Sequence, residues 1–68
     1  MNNEEMIIQL RLYVAGIRHA DCLEAKAQRY GQALGYIKAM EDAGLVFGEE
    51  LAALRSEIET NRLRSELP

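Results

Sequence analysis

His19 and Cys22 are the one imidazole and the one thiol in the chain, three residues apart, with Asp21 and Glu24 beside them. On a helix that spacing puts both side chains on one side, within reach of a shared metal ion. A structural zinc site needs four ligands, usually supplied as two pairs. One pair is present, so such a site would close only across two copies. The same two residues could also pair as a thiolate and its base for nucleophilic catalysis. A chain built from helices alone, as this one is expected to be, offers no pocket to hold a substrate and exclude water. Gly31 and Gly35 fall inside a helical stretch rather than in a loop able to cradle phosphate. No catalytic residue, metal, cofactor or small-molecule substrate is therefore expected, and His19 and Cys22 read as a solvated or half-buried polar stretch.

Charge is the second feature with chemical content. Between Arg11 and Lys38 the cations Arg11, Arg18, Lys26, Arg29 and Lys38 face only Asp21 and Glu24, a local +3. Between Glu41 and Glu59 six carboxylates (Glu41, Asp42, Glu49, Glu50, Glu57 and Glu59) face only Arg55, a local −5. Either block is accounted for by a solvated helix face. The functional alternative is that the acidic block meets a basic surface on a partner, since complementary potentials steer association. Candidate partner-binding residues are Glu41, Asp42, Phe47, Glu49 and Glu50, with Arg18 and Tyr30 as a second choice along the first helix. Phe47 stands where a helix cap would prefer Ser, Thr, Asp or Asn. Packing over Leu51 in the core is the plainer account of it, and an exposed aromatic anchoring an interface is the other.

The overall net charge of −3 argues against specific nucleic-acid binding, which draws its affinity from Lys and Arg neutralising phosphates. A hydrophobic fraction of 49% with 28% charged residues is globular composition rather than disorder. The opening Met-Asn-Asn-Glu-Glu is acidic where a secretory signal is basic. The apolar run from Met6 to Ile17 is broken by Gln9 and Arg11, and is shorter than the ~20 residues of a membrane span. With a lone cysteine, these features predict a cytoplasmic protein with no membrane contact.

Those residues must be positioned by helices. The one proline is Pro68, so nothing breaks a helix in the interior. Met6, Leu10, Tyr13, Ile17, Ala20, Leu23, Ala27, Tyr30, Leu34 and Ile37 recur at spacings of three and four, a single apolar stripe with one irregular step at Ala20 to Leu23. Asn2 or Asn3 can cap its start, with Glu4 and Glu5 favourable to the dipole in the first turn. Gly44 suits the left-handed position past its end, with Leu45 folding back. A second stripe follows at Phe47, Leu51, Leu54 and Ile58, with Glu49 and Glu50 early and Arg62 and Arg64 late.

The expected fold is all-α, an antiparallel two-helix hairpin over residues 1–68 with a long helix at about 3–43 and a short one at about 48–66. At ~1.5 Å per residue these measure roughly 60 Å and 27 Å, so the short helix covers half of the long one. The uncovered half holds Met6, Leu10, Tyr13, Val14 and Ile17. A homodimer pairing those residues in a helical bundle is the expectation, since an exposed patch of that kind needs a partner. The competing geometry breaks the long helix near Gly16 to Asp21 and folds it back into three helices. Ala27, Gly31 and Gly35 share a face and are read as a site of close helix contact within the hairpin.

The stretch Gly35-Tyr-Ile-Lys-Ala-Met-Glu-Asp-Ala-Gly-Leu, continuing through Glu49-Glu-Leu-Ala-Ala-Leu-Arg55, resembles the helical hairpins of small accessory proteins from temperate phages and plasmids. It covers about a third of the chain. In size and layout the whole chain is similar to the quorum-sensing anti-activators of Pseudomonas-infecting phages. That resemblance implies a small helical dimer acting in the host cytoplasm, which binds the DNA-binding domain of a host quorum-sensing activator. It also implies a second target, the ATPase that assembles type IV pili. No functional motif matches residue by residue, so no site is transferred. The expected function is a protein–protein interaction module that inhibits a host protein by occluding its surface. A small helical DNA-binding regulator and a structural assembly adaptor are the alternatives.

Overall fold

In the computed structural model, which describes residues 2–67, the chain forms three helices: α1 (Asn3–Arg18), α2 (Leu23–Asp42) and α3 (Gly48–Arg64). No strand occurs among the described residues. Asn2 caps α1, its side-chain oxygen accepting from the Glu5 amide at 2.8 Å, and Glu4 and Glu5 occupy the first turn. The expected continuous helix over 3–43 does not form. It is divided at residues 19–22, and the molecule is 33 Å in its longest dimension, about half the rod that such a helix would make.

Local chemistry supports the break from both sides. His19 ends α1, its amide bonding back to the Ala15 carbonyl at 3.1 Å. Arg29 reaches across from α2 and donates from Nη1 to the Gly16 carbonyl at 2.9 Å, satisfying one of the last-turn acceptors. Gly16 leaves room for that arm, since a Cβ there would lie 3.1 Å from Arg29 Cδ. Cys22 then adopts an extended backbone and caps α2, its Sγ accepting from the Ala25 amide at 3.4 Å. The gain is burial. Leu10, Val14 and Ile17 enter the chain's own core, worth on the order of 5–9 kcal/mol for three such side chains. Of the residues expected to pair two chains, these three are buried within one. Met6 and Tyr13 pack half-buried on the same core, Tyr13 edge-on to Tyr36 with centroids 5.5 Å apart.

The second turn follows the expected chemistry. Gly44 takes φ +72°, its amide bonds to the Glu41 carbonyl at 3.0 Å, and the Leu45 amide reaches the Met40 carbonyl at 2.9 Å. These are the paired bonds of a Schellman stop. Helix α3 matches the predicted short helix to within two residues at its end. Phe47 does not pack over Leu51. It is 76% exposed, and Val46 fills the core in its place.

The helices run antiparallel from α1 to α2 and from α2 to α3, which leaves α1 and α3 parallel, as the pairs Arg11–Glu57, Tyr13–Tyr36 and Glu41–Arg55 require. Because α2 is gripped by both neighbours, its buried line is Ala33, Ile37 and Met40, with the Lys26 stem extending it and Nζ donating to the Leu67 carbonyl at 2.6 Å. Leu23 and Ala27, placed on the apolar stripe by spacing, are exposed. The expected close contact at Ala27, Gly31 and Gly35 is absent too: Ala27 is exposed, and a Cβ at either glycine would meet open space.

Candidate functional site

Antiparallel packing gathers the start of α1, the end of α2 and the start of α3 at one end of the bundle, where Asn3 Nδ2 donates to the Leu45 carbonyl at 3.3 Å. Each of these helix ends is acidic for a local reason. Carboxylates in the first turns of α1 and α3 face the positive ends of the helix dipoles. These are Glu4 and Glu5 in α1 and Glu49 and Glu50 in α3. Glu41 and Asp42 close α2 and are matched by cations instead. Arg55 lies 2.9 Å from Glu41, and Lys38 lies 2.9 Å from Asp42. The Asp42 hydrogen bond raises the Lys38 ammonium above its ordinary range. Among the described residues Glu4, Glu5, Glu49 and Glu50 have no ion-pair partner.

The result is six carboxylates against Lys38 and Arg55, with Arg11 at the edge of the cluster and Phe47 exposed in the loop beside it. A shallow groove of about 440 Å³ between α1 and α3 opens at this end, lined by Glu4, Ile7, Ile8, Arg11 and Glu50. Arg11 is itself held toward Glu57 at 3.5 Å. An aromatic and an aliphatic contact rimmed by carboxylates suits a basic surface carrying apolar side chains. It provides no nucleophile or general base in an enclosed site.

The structure thus brings together Glu41, Asp42, Phe47, Glu49 and Glu50. It places Arg18 and Tyr30 elsewhere. Arg18 ends α1 in a cleft at the opposite pole with His19, Asp21, Arg64 and Glu66. Tyr30 faces α3, where its hydroxyl donates to the Glu59 carboxylate and Arg62 lies over the ring at 5.4 Å. That bond, then burial, pushes the Tyr30 phenol up; the same bond, then Arg62, holds Glu59 below the usual carboxylate range. His19 and Cys22 do not share a helix face, since one ends α1 and the other caps α2. No group of three or more His, Cys, Asp or Glu residues able to hold a metal occurs among the described residues. No described helix is long and apolar enough to cross a membrane.

Spacing did not associate Glu4, Glu5 and Ile8 with the acidic end. A continuous helix carries them far from Glu49, and only the fold-back at residues 19–22 reunites them. The available signal was the recurrence of a Glu pair in the first turn of each candidate helix. The chain matches no protein-family model, no curated protein and no solved structure.

Proposed function

We propose that this protein is an interaction module that docks its acidic end, with Phe47 as the aromatic anchor, onto a basic surface of another protein and occludes it. The observation that supports this reading is the convergence of six carboxylates from three helix ends around an exposed phenylalanine. Carboxylates at one pole steer a basic partner to that pole. A desolvated aromatic surrounded by polar contacts is the usual composition of a binding hot spot. DNA-binding domains are strongly basic, and a helical protein seated on one excludes DNA by competition, without an enzymatic step.

The resemblance to phage quorum-sensing anti-activators names such a target, the DNA-binding domain of a host activator in the host cytoplasm, with the pilus-assembly ATPase as a second. Pairing of two copies belongs to this reading as well, since a dimer would present two acidic ends to a dimeric target. The alternative of a DNA-binding regulator is weakened by where the cations sit. Arg11 and Lys38 are in ion pairs, Arg29 holds the Gly16 carbonyl and Lys26 holds the Leu67 carbonyl, so they form no continuous basic face.

The test is a binding titration against a purified activator DNA-binding domain across salt concentration. The parent should form a complex that weakens as salt rises. Changing Glu41, Asp42, Glu49 and Glu50 together to Lys should slow association by at least about tenfold, with little change in dissociation. Circular dichroism should stay unchanged. A four-fold variant that associates as fast as the parent makes the acidic end an ordinary solvated face and overturns the proposal.

A further inference from the structure

The groove beside Glu50 is one end of a longer furrow between the parallel helices α1 and α3. Along α1, Glu4, Ile8, Arg11, Ala15 and Arg18 follow at four, three, four and three residues, which is one helix face, and all five are exposed. Along α3, Glu50, Ala53, Glu57 and Arg64 share a face in the same way. The two faces meet in three rungs, each seven residues from the next. Glu4 and Glu50 line the groove at one end. Arg11 and Glu57 pair at 3.5 Å in the middle. Arg18 and Arg64 line a cleft of about 430 Å³ at the far end, with His19, Asp21 and Glu66. α2 packs on the opposite side, where Leu10, Leu54 and Ile58 join Ile37 and Met40 in one core.

We infer that this furrow receives one amphipathic helix of the partner, antiparallel to α1 and α3, with acidic residues in its first turn and basic residues in its last. It rests on the docking reading above and extends the acidic end along the length of α1. Such a helix would complete an up-down-up-down four-helix bundle, with its apolar stripe over Ile7, Ile8, Ala15 and Ala53. From Glu4 to Arg18 the furrow spans roughly 21 Å, about four turns of helix. Charge selects the direction. Among the described residues Glu4, Glu50, Arg18 and Arg64 are in no ion pair. Antiparallel docking brings the basic last turn to the two glutamates and the acidic first turn to the two arginines. Parallel docking of the same helix sets like charges together at both ends and aligns its dipole with its neighbours'. Asp21 and Glu66 lie past the ends of α1 and α3, where they face the unsatisfied amides of the incoming first turn.

The probes are two synthetic peptides of about 16 residues, both stapled on the outward side and carrying the same Leu and Ala stripe. One has Glu in its first turn and Lys in its last, and the other has Lys in both. Binding to the full chain is read by fluorescence anisotropy between about 1 μM and 1 mM. The net charge of −3 by itself favours the all-Lys peptide. A preference of at least about threefold for the mixed peptide, the size expected of two exposed ion pairs, therefore reports the arginine end. Arg18→Glu with Arg64→Glu should reverse that order. Arg18→Gln with Arg64→Gln, which adds no repulsion at the helix ends, should erase it, and circular dichroism should stay unchanged. A nitroxide on the last turn of the mixed peptide should broaden the amide resonances of Glu4 and Glu50 well before those of Arg18 and Arg64.

An all-Lys peptide that binds better to the parent and to both variants overturns the helix and leaves the acidic end acting alone. Broadening at Arg18 and Arg64 first, or no binding of either peptide at 1 mM, overturns it too. Peptide binding that weakens as the chain's own concentration rises makes a second copy the occupant, with the same consequence. Failure of the docking reading is a separate result, the four-fold acidic-end variant associating with its target as fast as the parent.

Discussion

Ile17→Ala tests the arrangement of α1 most directly. Ile17 is one residue from the end of α1, fully buried, and packed in one cluster with Leu10, Val14 and Ile37. Truncation to Ala removes three buried carbons and leaves a cavity that the short last turn, fixed by Arg29 on the Gly16 carbonyl, is poorly able to close. The expected loss is about 2–5 kcal/mol. A domain of this length has on the order of 3–10 kcal/mol in total. The variant should therefore lose a fifth of its stability or more, and melt roughly 8–40 °C lower.

Thermal and urea unfolding followed by circular dichroism, at two protein concentrations tenfold apart, reads both the magnitude and its origin. Burial inside one chain makes the loss the same at both concentrations. If Ile17 were buried by a second copy, the parent's midpoint would climb with concentration and the variant's would not. A loss below about 1 kcal/mol, or one that depends on concentration, refutes the folded-back α1.

Two other perturbations probe the packing of α2 against α3 and the second turn. Glu59 is held below its ordinary range in the folded chain by the Tyr30 hydroxyl and then by Arg62, so its contribution is present above the unfolded carboxylate value near 4.3 and is lost as pH falls through the lowered folded value. Tyr30→Phe should flatten that acid-side slope, read as the change in urea midpoint between pH 7 and pH 3; an unchanged slope would mean that the hydroxyl does not hold Glu59. Gly44→Ala places a Cβ at φ +72° and should lower stability by about 1 kcal/mol in urea unfolding, whereas a neutral effect would mean that the turn relaxes away from its left-handed geometry.

The elements that depend on local chemistry were legible in the sequence. Asn2, the Gly44–Leu45 stop and the extent of α3 each rest on a few adjacent residues, and the structure has them where those residues require. Phase along α2 was not legible. A stripe read without interruption from Met6 to Ile37 fixes which side of α2 is buried. The turn at residues 19–22 resets that relation, and contact with α1 on one flank and α3 on the other moves the core line to Ala33, Ile37 and Met40. The irregular step at Ala20 was the visible trace of the turn. What it lacked was a strong breaker: no proline or glycine stands at residues 19–22, and the reversal relies on Arg29 and Cys22, whose parts in it depend on the folded chain. Of the candidate site, the Glu41–Glu50 block was evident from charge alone. The contribution of Glu4 and Glu5 was not, because it depends on that same reversal.

Phe47 forgoes two stabilising choices at a single position. It occupies the cap of α3 without any side-chain hydrogen bond, where Ser, Asp or Asn would add about 1 kcal/mol, and it holds its ring in water while Val46 beside it is buried. An engineer seeking a more heat-resistant version of this chain would replace Phe47 first, and with it would go the one aromatic ring that the bundle leaves bare among the described residues.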